Sequence, residues 1–310
     1  MAFKKTIPLP PVPDSPEQIL LDLPRRKIPG VLLHQGEIIK TYVSQAVDTP
    51  DVALQLPTGS GKTLVGLLIA EWRRRKFRER VLFLCPNKQL VNQVVEQAND
   101  LYGLTVHGFT GKSSGFDPVA KAEYGGAERL GVTTYSALFN TNPFFNNPDL
   151  IVVDDAHAAE NYIAKLWTFV IERRNPEHQA IHAAVASIIR ALLSSSDYSR
   201  LIGAQEGVNY TGWVDKVPTP YFAKIHDELI SVIDTYVTAI DLRYTWKMIR
   251  DHLFACHLYL TPDEIMIRPL IPPTWEHKPF ADAKQRIYMS ATLGAGGDLE
   301  RLTGRKSVMR

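Results

Sequence analysis

The 310-residue chain has 45% hydrophobic and 22% charged residues and a formal net charge of +2, ordinary values for a globular protein that can bury a large core. So small a charge gives no global nucleic-acid signal, and any basic surface must be local. Its two cysteines, Cys85 and Cys256, are far apart; that spacing argues against a disulfide framework, a zinc site or an iron–sulfur cluster and for a reducing compartment.

Residues 1–16 are proline-rich, and residues 1–27 read as an extended arm, either a plain leader or a docking segment. The arm lacks the apolar stretch of a secretion signal, and no apolar run reaches the ~20 residues of a membrane span. A cytoplasmic location without a membrane partner is the expectation. From residue 28 the pattern alternates. DVALQL (51–56), VLFLC (81–85), LGVTT (130–134) and LIVVD (150–154) are short runs rich in Val, Leu and Ile, as in strands buried on both faces. Helix-length segments lie between them at 62–76, 88–101 and roughly 116–124. Such alternation predicts an α/β fold with a doubly wound, mainly parallel sheet.

The pattern changes after residue 158. Ile181, Val185, Ile188, Ile189 and Leu192 recur at helical spacing, as do Phe222, Ile225, Leu229, Ile233, Tyr236, Val237 and Ile240. HLYLTPDEIMIRPLI (257–271) reads as a hairpin around a Pro–Asp turn, and RIYMS (286–290) restores the buried strand. A mostly helical insertion with a hairpin, residues 158–277, therefore interrupts an α/β domain made of 28–157 and 278–310.

LQLPTGSGKTLVGLLIAEW (54–72) places a glycine loop between a strand and a helix. The loop residues Pro57, Thr58, Gly59, Ser60 and Gly61 can wrap a phosphate with backbone amides, aided by the helix N-terminus. Lys62 can reach the β- and γ-phosphates of a nucleotide, and the Thr63 hydroxyl can hold Mg²⁺. The strict eight-residue form of the motif would have Gly where this chain has Leu56. A second site follows at the end of LIVVDDAH: Asp154 to hold the metal, Asp155 to orient or deprotonate the attacking water, and His157 to couple the site to a neighbouring element.

PTGSGKT, VVDDAH and MSAT, in that order and each at a strand tip, resemble motifs I, II and III of the superfamily-two DEAD/DEAH-like helicases. CPNKQLVNQV (85–94) and GVTTYSALF (131–139) resemble motifs Ia and Ib. The resemblance implies a RecA-like lobe that binds and hydrolyses ATP with Mg²⁺. It implies nucleic-acid backbone contacts, DNA or RNA, at Asn87, Lys88, Gln89, Asn92, Thr133 and Thr134. It implies an adenine-reading role for Gln35, and coupling of nucleotide state to lobe movement by Ser290 and Thr292. Members also carry a second RecA-like lobe with arginine fingers, which would have to come from beyond residue 310 or from another chain, so weak hydrolysis is expected of this chain alone. Asp155 stands where the family usually has Glu, one methylene longer. The insertion resembles the arch region of XPD/DinG-type helicases in placement only, because two distant cysteines cannot build that group's iron–sulfur module.

The insertion can be a strand guide or a packing and docking module. WRRRKFRER (72–80) can be a phosphate track or a solvated helix end. Two other functions stand against the motor: a nucleotide-dependent nucleic-acid-binding or regulatory module, and another phosphate-loop enzyme such as a small-molecule kinase. For the kinase no acceptor pocket is legible, and the triplet at 290–292 has no task.

Overall fold

The computed structural model describes residues 12–204, 212–237 and 240–310; most of the proline-rich arm lies outside them, as does the side chain of Ile240. Ten strands are present among the described residues: β1 (Asp51–Gln55), β2 (Val81–Cys85), β3 (Val106–Phe109), β4 (Leu130–Thr134), β5 (Leu150–Asp154), β6 (Phe169–Glu172), β7 (Asp215–Lys216), β8 (Cys256–Leu260), β9 (Glu264–Pro269) and β10 (Gln285–Ser290). The chain divides into two compact units, residues 1–162 with 274–310, and residues 163–273.

The first unit is built on a six-stranded sheet in the order β1-β10-β5-β2-β4-β3, parallel throughout. This is the doubly wound α/β class that the strand–helix alternation predicts. Every residue of β2 and β10 is buried, as expected for strands covered by helices on both faces. Four helices matter for the site: α1 (Pro16–Asp22) and α2 (Leu33–Thr41), which pack on α3 (Lys62–Phe77), and α3 and α4 (Lys88–Glu96), which pack on the strands. Ser15 caps α1 by accepting the Gln18 N–H. Helix α3 is buried along almost its whole length, from Leu64 to Arg74, so it shows no amphipathic stripe. It lies close against the sheet at Gly66, where an added Cβ would come within 2.6 Å of the Met289 side chain. At the far edge, Met309 forms a parallel bridge with Val52 on β1.

The run 72–80 closes α3 and continues just past it, and most of its arginines are paired within the fold, leaving Lys76 and Arg78 exposed. Arg73 and Arg74 are 5% and 7% exposed. Arg73 pairs with Glu79 at 2.7 Å and also donates to Tyr42 Oη, Val47 O and Gln285 Oε1. Glu71, itself buried, accepts from both Arg74 and Arg75, and Lys76 lies over the Trp72 ring. Two glutamates, one inside the run and one just before it, neutralise three of its arginines within the fold.

The second unit holds a four-stranded antiparallel sheet in the order β6-β9-β8-β7. The expected hairpin is its β8–β9 pair, while β6 and the two-residue β7 are strands too short to show a period in the sequence. The helical stripe from Phe222 is broken: helices run Thr219–Lys224, His226–Tyr236 and Ile240–Ile249. Leu229 and Ile233 are buried, but Tyr236 is 42% exposed where the second helix ends.

Candidate nucleotide site

Because the sheet is parallel, the carboxyl ends of its strands share one edge, where open α/β sheets place ligands. Along it stand the glycine loop after β1, Ser290 at the end of β10, Asp154 at the end of β5, Asn87 after β2 and Thr134 at the end of β4. The register pairs Gln55 with Ser290 and Met289 with Asp154. The base of the loop and Asp154 are thus separated by two strand spacings, about 10 Å. That gap suits a hydrated divalent ion between a loop-bound phosphate and the carboxylate.

Gly61 ends the loop and opens α3 in the left-handed region, φ 77°, which an L side chain enters only at a cost. A Cβ there would also stand 2.4 Å from Gln35 Nε2. The reason is local. Gln35 is 3% exposed and its Oε1 accepts the Leu32 N–H at 2.8 Å. Its Nε2 donates to Ser60 O at 2.7 Å, and the His34 ring lies 3.2 Å from the same carbonyl. In this arrangement Gln35 holds the loop, and its carboxamide oxygen is already committed to a backbone amide.

Lys62 and Thr63 are half-buried in the first turn of α3. Burial pushes the Asp154 carboxyl up to about 6; the Lys62 ammonium pulls the other way, and Asp155 adds to the rise. The interaction of Lys62 with Asp154 reaches across β10 and joins the two candidate halves electrostatically. Asp155 is exposed and adopts the left-handed region at φ 54°. Among the described residues no cluster of three or more His, Cys, Asp or Glu could hold a metal. Thr63 and Asp154 are two oxygen donors that would leave a divalent cation to take its remaining ligands from phosphate and water.

The His157 Nδ1 lies 2.9 Å from Ser290 Oγ. Ser290, not Thr292, supplies the hydroxyl that meets the β5 turn; Thr292 is exposed on the loop beyond. Asn87 caps α4 by accepting the Leu90 N–H at 2.9 Å, and Lys88, Gln89 and Asn92 are exposed on the same helix. Thr133 requires a correction: it is fully buried and donates its hydroxyl to Phe109 O at 2.6 Å. In a strand the side chains of neighbours point to opposite faces, so Thr133 and Thr134 do not share a surface, and only Thr134 is partly exposed.

Sequence reasoning passed over Tyr135. Its hydroxyl donates to Asp154 O, with Asp155 O 3.3 Å away as a second acceptor. The one signal was its position, directly after a strand tip.

The fold and the edge of strand tips define a phosphate-loop nucleotide-binding α/β protein. A scan against family models matches the DEAD/DEAH box helicase family over residues 34–192. The chain belongs to that family. Among solved structures it is similar to an apo XPD (19% identity, 89% of this chain and 56% of that one, TM-score 0.48). It is also similar to Xpd4 of S. tokodaii (18%, 84% and 57%, 0.45) and to the UvsW helicase from bacteriophage T4 (17%, 49% and 53%, 0.38). The chain thus spans little more than half the length of these proteins. No curated protein matches it.

Proposed function

We propose that this chain is the ATP-binding and ATP-hydrolysing lobe of a nucleic-acid helicase or translocase that works with a second RecA-like lobe. The observation that carries the reading is the meeting of the two halves across β10. The glycine loop and Asp154 stand at the ends of the strands on either side of β10, and Ser290 on that intervening strand lies 2.9 Å from His157 Nδ1. The loop amides and Lys62 bind the triphosphate; Thr63 and Asp154 would hold Mg²⁺, which when bound would supply positive charge beside the phosphates. Asp155 orients the attacking water with a side chain one methylene shorter than glutamate. The exposed face of Lys88, Gln89 and Asn92, with Thr134, takes the nucleic-acid backbone. A second lobe supplies the arginine finger, worth about 10³–10⁵ in rate, so hydrolysis by this chain alone is slow.

Fluorescence titration of mant-ATP, with and without Mg²⁺, tests the reading on the wild type and Lys62→Ala. Saturable, Mg²⁺-strengthened binding that weakens at least tenfold in the variant is expected. Equal affinities of the two proteins would overturn it.

A further inference from the structure

Asp155 is among the few described non-glycine residues with a positive φ. Such a conformation is strained for a non-glycine residue and persists only where its surroundings enforce it. The turn is pinned on two sides: Ala156 N donates to Met289 O at 2.9 Å, and Ala158 N donates to Asp155 O at 2.9 Å. The remaining anchor comes from elsewhere in the chain. Tyr135 is fully buried, its ring packs on Tyr162 at 5.5 Å between centroids, and its hydroxyl donates to Asp154 O beside Asp155 O.

We propose that Tyr135 is a positioning residue. Its hydroxyl holds the Asp154–Asp155 turn in the arrangement that aims both carboxylates at the metal and the water, and ties that turn to Thr134, the adjoining residue on the candidate nucleic-acid face. The inference rests on the function proposed above and adds a physical link between that face and the metal site. A shift at Thr134 moves the ring that follows it, and the ring carries the hydroxyl that fixes the carbonyls of the turn.

The test uses the full chain as wild type, Tyr135→Phe, Tyr162→Phe and Lys62→Ala. Three quantities are read: mant-ATP affinity in EDTA, the Mg²⁺ concentration that half-saturates the Mg²⁺-dependent fluorescence change, and the thermal midpoint. Tyr135→Phe keeps the ring and removes one oxygen. It is expected to leave the metal-free affinity within twofold of wild type and to raise the Mg²⁺ half-saturation about tenfold, the size of one lost buried hydrogen bond. Tyr162→Phe, which keeps the ring packing, leaves the Mg²⁺ half-saturation in place. Unchanged Mg²⁺ dependence in Tyr135→Phe overturns the proposal and leaves nucleotide binding standing. So does a parallel loss of metal-free affinity and thermal midpoint, which would mark Tyr135 as packing alone. If wild type binds no better than Lys62→Ala, the functional reading falls and this inference falls with it.

Discussion

Replacing Asp154 with Asn separates what the carboxylate does for a ligand from what it does to the fold. Burial raises this carboxyl from 3.8 to about 6 despite the attraction of Lys62. Below pH 3.8 the group is neutral in both folded and unfolded chains, and its contribution to stability is intact. As pH rises from there, the unfolded chain ionises first and the folded state falls behind, until above pH 6 both are charged and the loss is complete. At 1.36 kcal/mol per pKa unit the full loss is about 3 kcal/mol. An uncharged, nearly isosteric amide escapes it. Asp154→Asn is therefore expected to be more stable than wild type by about 3 kcal/mol at pH 8 and by less than about 1 kcal/mol at pH 4. The same variant should lose the Mg²⁺-dependent part of nucleotide binding. Urea unfolding of the nucleotide-free chains at both pH values measures the gap. A variant no more stable than wild type at pH 8, or a gap that does not close towards pH 4, would refute the reasoning.

Two further outcomes follow from the same coordinates. Glu79→Ala leaves the buried Arg73 guanidinium without its carboxylate partner, which should cost about 3–5 kcal/mol in urea unfolding. Affinity for a fluorescent oligonucleotide stays unchanged, because Arg73 is buried in the wild type; a large gain in affinity would show Arg73 available to phosphate. Gly61→Ala combines an unfavourable φ with a Cβ 2.4 Å from Gln35 Nε2. It should lower the thermal midpoint and weaken mant-ATP binding at least tenfold, and adding Gln35→Ala should recover only part of the loss, since the backbone penalty remains. Full recovery in the double variant would assign the whole effect to the side-chain clash.

Much of the sheet was legible because strands covered on both faces are continuous apolar runs, and each of the five runs read as strands in the first unit's sheet is one. β3 was not read: VHGF is four residues with a histidine and a glycine, too short and mixed for a period to register. Turn chemistry at Pro262–Asp263 exposed the β8–β9 hairpin, but β6 and β7, which complete its sheet, pair with strands remote in sequence and leave no local signature. The break after Tyr236 was hidden for a related reason. Helical spacing continues across it, so periodicity alone does not register where one helix ends.

At the site, type and order of residues were enough to find the strand tips, since a glycine loop, a pair of carboxylates and a pair of hydroxyls each follow an apolar run. Which side chains face the ligand edge was another matter. Thr133 and Thr134 are chemically identical, and only burial separates them; Arg73, Arg74 and Arg75 read as part of a charged surface, whereas the fold sets Glu71 and Glu79 against them. Gln35 and Tyr135 illustrate the same limit. Their hydrogen bonds go to Ser60 O and Asp154 O, backbone atoms that every residue possesses, so no pattern of side chains could announce them. Composition and order along the chain determined the α/β class and the loci of its chemistry through local propensity. Orientation, charge pairing and the clamps on the two loops were decided by distant segments brought together, because those choices depend on desolvation and hydrogen-bond partners that exist only after the sheet has formed.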